Sequence, residues 1–299
     1  MPLSVFGCKH FGSRDPAALT NPVKRKDQHG FDDFLYPPVP PICKEPDCGS
    51  PSDHKAGFCY LHPRFGYCDA DVSRSIIPHN EFAENPKDKN VYFYEALAEG
   101  QLFYGEIAFS SQSHCELMDR LLRANPHARM GKAKYRGHGN VLFHTPIQRD
   151  QSLLNDWKLK GWRGPGPCFS IYLFSDAILV DESLNYRTGL DEKDLARWLK
   201  LPNTEGFRVH IRLGQQSHLK SFFKTGTTMG FNQHRGMPLP MEVVVTRGSV
   251  FTATYEGDID IRGALESLER EGIGLRRNEG YGRILIDHAI HGQPREVSS

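Results

Sequence analysis

The most constraining stretch of this chain is residues 272–286, GIGLRRNEGYGRILI, where four glycines and three arginines separate a helix-patterned run, 259–271, from an apolar, strand-like run, 284–286. Glycine adopts positive φ without a Cβ penalty and lets a backbone come close to a neighbour or a ligand. The helix must therefore end at this turn and the strand must begin just past it. Arg276, Arg277 and Arg283 are planar cations suited to phosphate, and Tyr281 beside them is a stacking residue. The same order occurs earlier: a helix-patterned run at 115–125, then ARMGKAKYRGHGN at 128–140, then a strand-like run at 141–144. That turn carries Gly131, Gly137 and Gly139 among Arg129, Lys132, Lys134, Tyr135 and Arg136. Two such turns point to a surface that something approaches closely, with Gly131, Gly137, Gly274 and Gly280 offering backbone donors.

The other segments give these turns a frame. Residues 1–85 are rich in Pro, Gly, Cys and His without a period of 2 or 3.6, which predicts an irregular segment held by something other than a core. Residues 90–110 read as two antiparallel strands about Glu99-Gly100. A helix follows, with Ser113 as N-cap, Glu116 closing a capping box, and Leu117, Leu121 and Leu122 on one face. Residues 151–167, ending in GWRGPGP, read as a linker. Beyond it, 168–180 is strand-like, 191–201 is helical with Asp191 as N-cap, and 207–213 alternates as a half-buried strand with Arg208, His210 and Arg212 on one basic face. Residues 222–240 predict a turn-rich loop bearing Phe231, His234, Lys224 and Arg235, and 241–255 predict a tight hairpin about Thr246-Arg247-Gly248. The second half, 168–299, thus matches a β-α-β-β-α-β unit, and 86–150 matches the same unit without its opening strand and helix. The expected fold class is α+β, with tandem ferredoxin-like units, the first incomplete.

Charge and cysteine usage limit the partners. The 299 residues hold 37 Lys and Arg against 36 Asp and Glu, so nucleic-acid binding has to run through local patches. The aromatic signature of the common RNA-recognition motif is absent, which puts contacts on loops. No run of eighteen apolar residues and no signal-peptide pattern occur, so a soluble, cytoplasmic protein is expected. Of the seven cysteines, Cys43, Cys48 and Cys59 with His62 have the Cys-x4-Cys-x10-Cys-x2-His spacing of a structural zinc site, and Cys8, His10, His29, His54 and Cys68 compete as ligands.

The glycine-rich turn after the last helix resembles the hallmark of the RAMP superfamily of CRISPR-associated proteins. More closely, it resembles the type III-D effector subunit, grouped with proteins that cap the 5′ end of the guide RNA. The blocks that carry this are residues 3–9, DQHGFDDFL at 27–35, the cysteine pair, LFYGEI, GKAKYRGHGN, LFSDAIL, GFN with GMP, and GIGLRRNEGYGR. The resemblance implies a non-catalytic subunit of an antiviral ribonucleoprotein that holds the repeat-derived 5′ handle of a guide RNA and contacts other effector subunits. Arg276, Arg277, Arg283, Lys132, Lys134 and Arg136 would then neutralise phosphates, with Arg129 and Arg235 nearby, and Tyr135, Phe231 or Tyr281 would stack on bases. It also implies a second zinc set, Cys8, His29, Cys43 and Cys48. One departure stands out: the family begins with a strand and a glycine-containing helix that residues 1–85 do not supply. Either a partner chain would provide that piece or the first sheet would be incomplete, and an open sheet edge at 91–109 would pair with a neighbouring subunit. The alternatives are a metal-independent endoribonuclease using His210, His218 or His234, for which no paired acid and base are spaced, and an architectural subunit, which the near-neutral charge favours.

Overall fold

The computed structural model describes residues 5–8, 31–33, 52–54, 58–62, 66–70, 72–81, 90–103, 107, 109, 111–131, 138–144, 168–210, 221–232, 235–288 and 291. The chain divides into two compact units, one of Met1–Asp71 with Asp156–Ser299 and the other Val72–Asn155. The described residues mix helices with small antiparallel sheets, an α+β composition.

In the first unit the amino-terminal strands are β1 (Val5–Cys8), β2 (Phe31–Asp33) and β3 (Ser52–His54), joined as β2-β1-β3, and the ribbon β4 (Phe58–His62) with β5 (Gly66–Ala70). The second unit holds β6 (Arg74–Glu81), β7 (Asn90–Leu97), α1 (Gln112–Ala124), β8 (His127–Arg129) and β9 (Asn140–Leu142). Two expectations change here. The partner of β7 is β6, with Ile77 opposite Tyr94, so strand pairing occupies 74–81, where irregular chain was expected, while 101–103 carry no strand and 104–106 lie outside the described residues. The N-cap of α1 is Ser111 rather than Ser113: Ser111 is extended and its Oγ accepts from the His114 N–H at 3.4 Å.

Residues 168–291 hold the core. A four-stranded antiparallel sheet runs β11-β16-β10-β17, from β10 (Cys168–Leu173), β11 (Phe207–Val209), β16 (Val250–Tyr255) and β17 (Ile284–Ile286). Helix α2 (Glu192–Trp198) links β10 to β11, and α3 (Arg262–Glu271) links β16 to β17. Asp191 caps α2 as expected, its carboxylate accepting from the Asp194 N–H at 2.9 Å. Alternation along β10 sends Phe169, Ile171 and Leu173 to the helix side, where they meet Phe251, Ala253, Leu195, Leu265, Leu268 and Ile273 in one buried cluster. Each such side chain contributes about 1.5–3 kcal/mol by leaving water.

Between β11 and β16 the chain adds β12 (Thr225–Thr228), β13 (Phe231–Asn232), β14 (Met237–Pro238) and β15 (Glu242–Val245). β12 is a strand where loop was expected. It pairs with β15, Thr228 opposite Glu242, so β15 and β16 do not form the expected hairpin with each other. Instead the turn at Thr246-Arg247-Gly248 carries the chain from the ribbon into the sheet. Gly248 sits at φ +89° and its N–H donates to the Leu173 carbonyl at 2.8 Å. His210 also departs from the basic face predicted for it: it is 9 % exposed, its N–H donates to the Thr252 carbonyl and its Nε2 lies 3.2 Å from Thr254 Oγ1. No described helix is long and apolar enough to cross a membrane.

Candidate nucleic-acid interface

Helix α3 ends because Gly272 takes φ +73°, with its N–H closing onto the Leu268 carbonyl at 2.8 Å. The chain then folds back on itself. The Ile273 N–H donates to the Gly282 carbonyl at 2.8 Å, the Leu275 N–H to Ile178 at 2.9 Å, and the Gly282 N–H to Asp176 at 2.8 Å. Gly274 and Gly282 are required by this closure, since a Cβ would stand 2.3 Å from the Ile178 oxygen at the first and 1.7 Å from the Ile273 oxygen at the second. Three of the four glycines therefore serve the turn's own backbone, not a ligand's approach. Within the turn only Gly280 faces open space, and its N–H is already given to Arg277.

The arginines divide in the same way. Arg276, in the left-handed region at φ +54°, gives Nε to Glu279 Oε1 at 2.9 Å and a second nitrogen to Glu279 Oε2 at 2.5 Å, and it also bonds Glu242. Its guanidinium lies 4.9 Å from the centre of the Tyr281 ring. The Tyr281 hydroxyl reaches Thr228 Oγ1 at 2.9 Å. Thr228 and Glu242 are cross-strand partners, so one rung of the β12–β15 ribbon grips both Arg276 and Tyr281. The Glu279 hydrogen bond, and behind it Glu242, push the Arg276 pKa up against the opposing effect of burial. Arg276 is therefore a fixed strut: of the two roles the sequence left open for it, a phosphate contact or a tie to Glu279 within the turn, the structure has the tie. Arg277 and Arg283 are exposed. Arg277 donates to the Glu271 and Gly272 carbonyls at 3.4 and 3.3 Å, the end of α3 where a cation is favoured, and Arg283 has no ion pair among the described residues.

The first glycine-rich turn is built otherwise. β8 and β9 pair on either side of it, Arg129 opposite Asn140, so a strand rather than the helix leads into it. Gly131, at φ +100°, has open space where a Cβ would be, and Arg129 is exposed. Lys132, Lys134, Tyr135, Arg136 and Gly137 lie outside the described residues, as do His29, Cys43, Cys48, His218 and His234. Cys8, Cys59 and His62 are placed only as positions on β1 and β4, and Phe231 only on β13. Arg235 is exposed, its N–H donating to Asn232 Oδ1 at 3.1 Å. Among the described residues no group of three or more His, Cys, Asp and Glu is set to hold a metal.

Two features of this region were not legible beforehand. Asp176 takes the Gly282 N–H on its carbonyl and the Arg247 N–H on its carboxylate at 2.7 Å, which brings the 246–248 turn against the glycine-rich one. Ser175 Oγ accepts the Arg283 N–H at 2.8 Å. The LFSDAIL block therefore contributes the two polar groups that tie both turns together. No protein-family model matches this chain, and no curated protein matches it.

Proposed function

We propose that this chain is a non-catalytic, RNA-binding subunit of a type III CRISPR effector ribonucleoprotein, holding the 5′ handle of a guide RNA. The observation that carries the reading is the sheet order: numbered by chain position the four strands run 4-1-3-2, all antiparallel, with one helix in each crossover. That is the order of a ferredoxin-like unit, and the glycine-rich turn stands where the last helix enters the last strand, as the RAMP resemblance expects. The turn is a rigid platform of backbone hydrogen bonds from which Arg277 and Arg283 project, and cations of this kind neutralise phosphates. His210, one of the three histidines of the cleavage alternative, is 9 % exposed and its Nε2 lies against Thr254 Oγ1. The exposed apolar side chains of the second unit, Ile76, Phe93 and Leu97 among them, are suited to contact with neighbouring effector subunits.

The test is binding of a labelled repeat-derived handle RNA to the purified protein over a range of salt. Replacing Arg277 and Arg283 by alanine is expected to weaken binding and flatten the salt dependence by about one unit of slope for each phosphate no longer neutralised. Equal affinity and slope for the double variant would remove the proposal. The same reading gives the chain a structural zinc on Cys8, His29, Cys43 and Cys48, or on Cys43, Cys48, Cys59 and His62. Zinc binds such sets as thiolate and imidazole, and elemental analysis showing less than one zinc per chain would dispose of that part.

A further inference from the structure

Phe174 stands apart from the other described phenylalanines around the sheet. Phe169, Phe207 and Phe251 are 4 %, 8 % and 0 % exposed, whereas Phe174 is 63 % exposed. It follows the last residue of β10, on the same alternation as Ser170 and Tyr172 and opposite to the core residues Ile171 and Leu173. An exposed aromatic at such a place is more often a loose rim residue. Phe174 is held from two sides. Its N–H donates to the Arg283 carbonyl at 2.8 Å. Its ring meets the edge of Tyr172, centroids 6.4 Å apart and planes at 82°, and Tyr172 is itself only 7 % exposed. A buried ring braces the exposed one.

Three cationic residues lie near it along the hydrogen-bonded backbone. Arg283 is its hydrogen-bond partner, and Ser175, the next residue, accepts the Arg283 N–H. Arg247 is bound to Asp176 Oδ1 through its N–H, and the adjoining Gly248 N–H donates to Leu173, the residue before Phe174. Lys224 joins from the ribbon: its carbonyl accepts the Thr246 N–H at 2.8 Å and its own N–H reaches Ser249 Oγ at 3.3 Å. Arg283, Arg247 and Lys224 are exposed and none has an ion pair among the described residues, in contrast to Arg276, Arg187 and Arg197 of the same unit. The Asp176 carboxylate in their midst takes the Arg247 N–H on one oxygen.

We propose that Phe174 is a stacking platform for one unpaired base of single-stranded RNA, with Arg283, Arg247 and Lys224 on the flanking phosphates. This rests on the RNA-binding reading and extends it to a subsite beyond the glycine-rich turn. An aromatic face with cations around it fits single-stranded nucleic acid because every base has a π-face, so the contact is tolerant of sequence. A duplex keeps its bases stacked on one another and presents only phosphates there.

The experiment compares fluorescein-labelled oligouridine of about eight nucleotides, within the ~4–16 typical of such sites, with an RNA duplex of equal length. Phe174→Ala is expected to weaken oligouridine binding by about 5–150-fold, the range for loss of one stacked base, while leaving duplex binding unchanged. Phe174→Leu should behave like Phe174→Ala, and Phe174→Tyr like the wild type. Oligouridine affinity unchanged in Phe174→Ala, or restored by Phe174→Leu, would overturn the platform even if Arg277→Ala still weakens binding. Absence of RNA binding by the wild-type chain would overturn the platform together with the reading beneath it.

Discussion

Gly282 and Gly131 are both glycines at positive φ, +68° and +100°, each in a turn dense with cations. A Cβ at Gly282 would stand 1.7 Å from a carbonyl oxygen, and a Cβ at Gly131 would meet nothing within 4 Å. The difference follows the surroundings. The turn holding Gly282 closes over a buried cluster that includes Leu265, Leu268 and Ile273, whereas none of the second unit's residues with a described burial is buried. Glycine in the first case allows the backbone to pack, and in the second it shapes an exposed turn. The same letters in the sequence carry two physical requirements.

Substitution at these positions should expose the contrast most strongly. Gly282→Ala is expected to destabilise the 168–291 sheet by about 4 kcal/mol or more, the range reserved for forced backbone displacement. Gly280→Ala and Gly131→Ala, with open space at both, should cost only the left-handed penalty, about 1–2 kcal/mol. Urea unfolding followed by tryptophan fluorescence and far-ultraviolet circular dichroism measures all three. Equal losses for Gly282→Ala and Gly131→Ala would mean that the two turns are packed alike.

A second distinction is electrostatic. The shifted groups described in the second unit, Arg74 and Arg123, are surface arginines raised by hydrogen bonds to Glu95 and Asp119. The sheet of the first unit instead ends on two half-buried titratable residues, Asp287 and His288. Burial pushes the Asp287 carboxyl up to about 6, although the Ser170 N–H and hydroxyl both donate to it and His291 and Glu269 bear on its charge. Burial pushes the neighbouring His288 down to about 4. A raised carboxyl favours the fold below its unfolded pKa and loses that contribution as pH rises through about 6. A lowered histidine favours the fold above its unfolded pKa and loses that contribution as pH falls through about 4. Between pH 4 and 6 the two oppose each other, each on the order of 2–3 kcal/mol. Asp287→Asn should therefore unmask a protein that weakens as pH falls from about 6.5 to 4, and His288→Phe one that weakens as pH rises from about 4 to 6. Thermal unfolding at a series of pH values reads both slopes, and matching slopes for the two variants would break the assignment.

What could be read from the residues alone was periodicity and turn chemistry. The strands at the start of 168–180 and 207–213, the two helices, the Asp191 cap and the end of α3 at Gly272 follow from local pattern and agree with the structure, whereas β12, β13 and β14, added between β11 and β16, were not foreseen. Pairing was less legible, because a strand's alternation does not name its partner. β7 pairs backward with β6, and β15 pairs with the Gly/Thr stretch of β12, whose composition reads as loop. The candidate interface was legible in outline only. Charge identifies Arg276 as a cation, but Glu242, which holds it, is 34 residues away in sequence. Phe174 lies in an apolar run that reads as strand interior, and its exposure accompanies the bend of the chain at Phe174-Ser175, where it leaves β10.

The smallest effects separate the ion pairs of the two regions. Arg276 is 23 % exposed and Glu242 17 %, and the pair locks the turn onto the ribbon with Tyr281 stacked beneath. Its other partner, Glu279, is 48 % exposed and contributes less through solvent screening. Arg276→Ala is expected to destabilise by about 1–2 kcal/mol, below the roughly 3–5 kcal/mol for breaking a fully buried pair, and added salt should change this loss little. The Arg123–Asp119 pair on α1 is an i,i+4 pair at 2.8 Å with its arginine half exposed. Asp119 is 21 % exposed but Arg123 reaches water, so the pair gains little beyond the entropy it gives up and Arg123→Ala should cost less than Arg276→Ala, at most about 1 kcal/mol. Arg276→Lys distinguishes geometry from charge, since lysine cannot span both carboxylates with a planar fork. Its stability should fall nearer to that of Arg276→Ala than to the wild type, and full stability in Arg276→Lys would reduce the strut to a simple surface charge like that of Arg123.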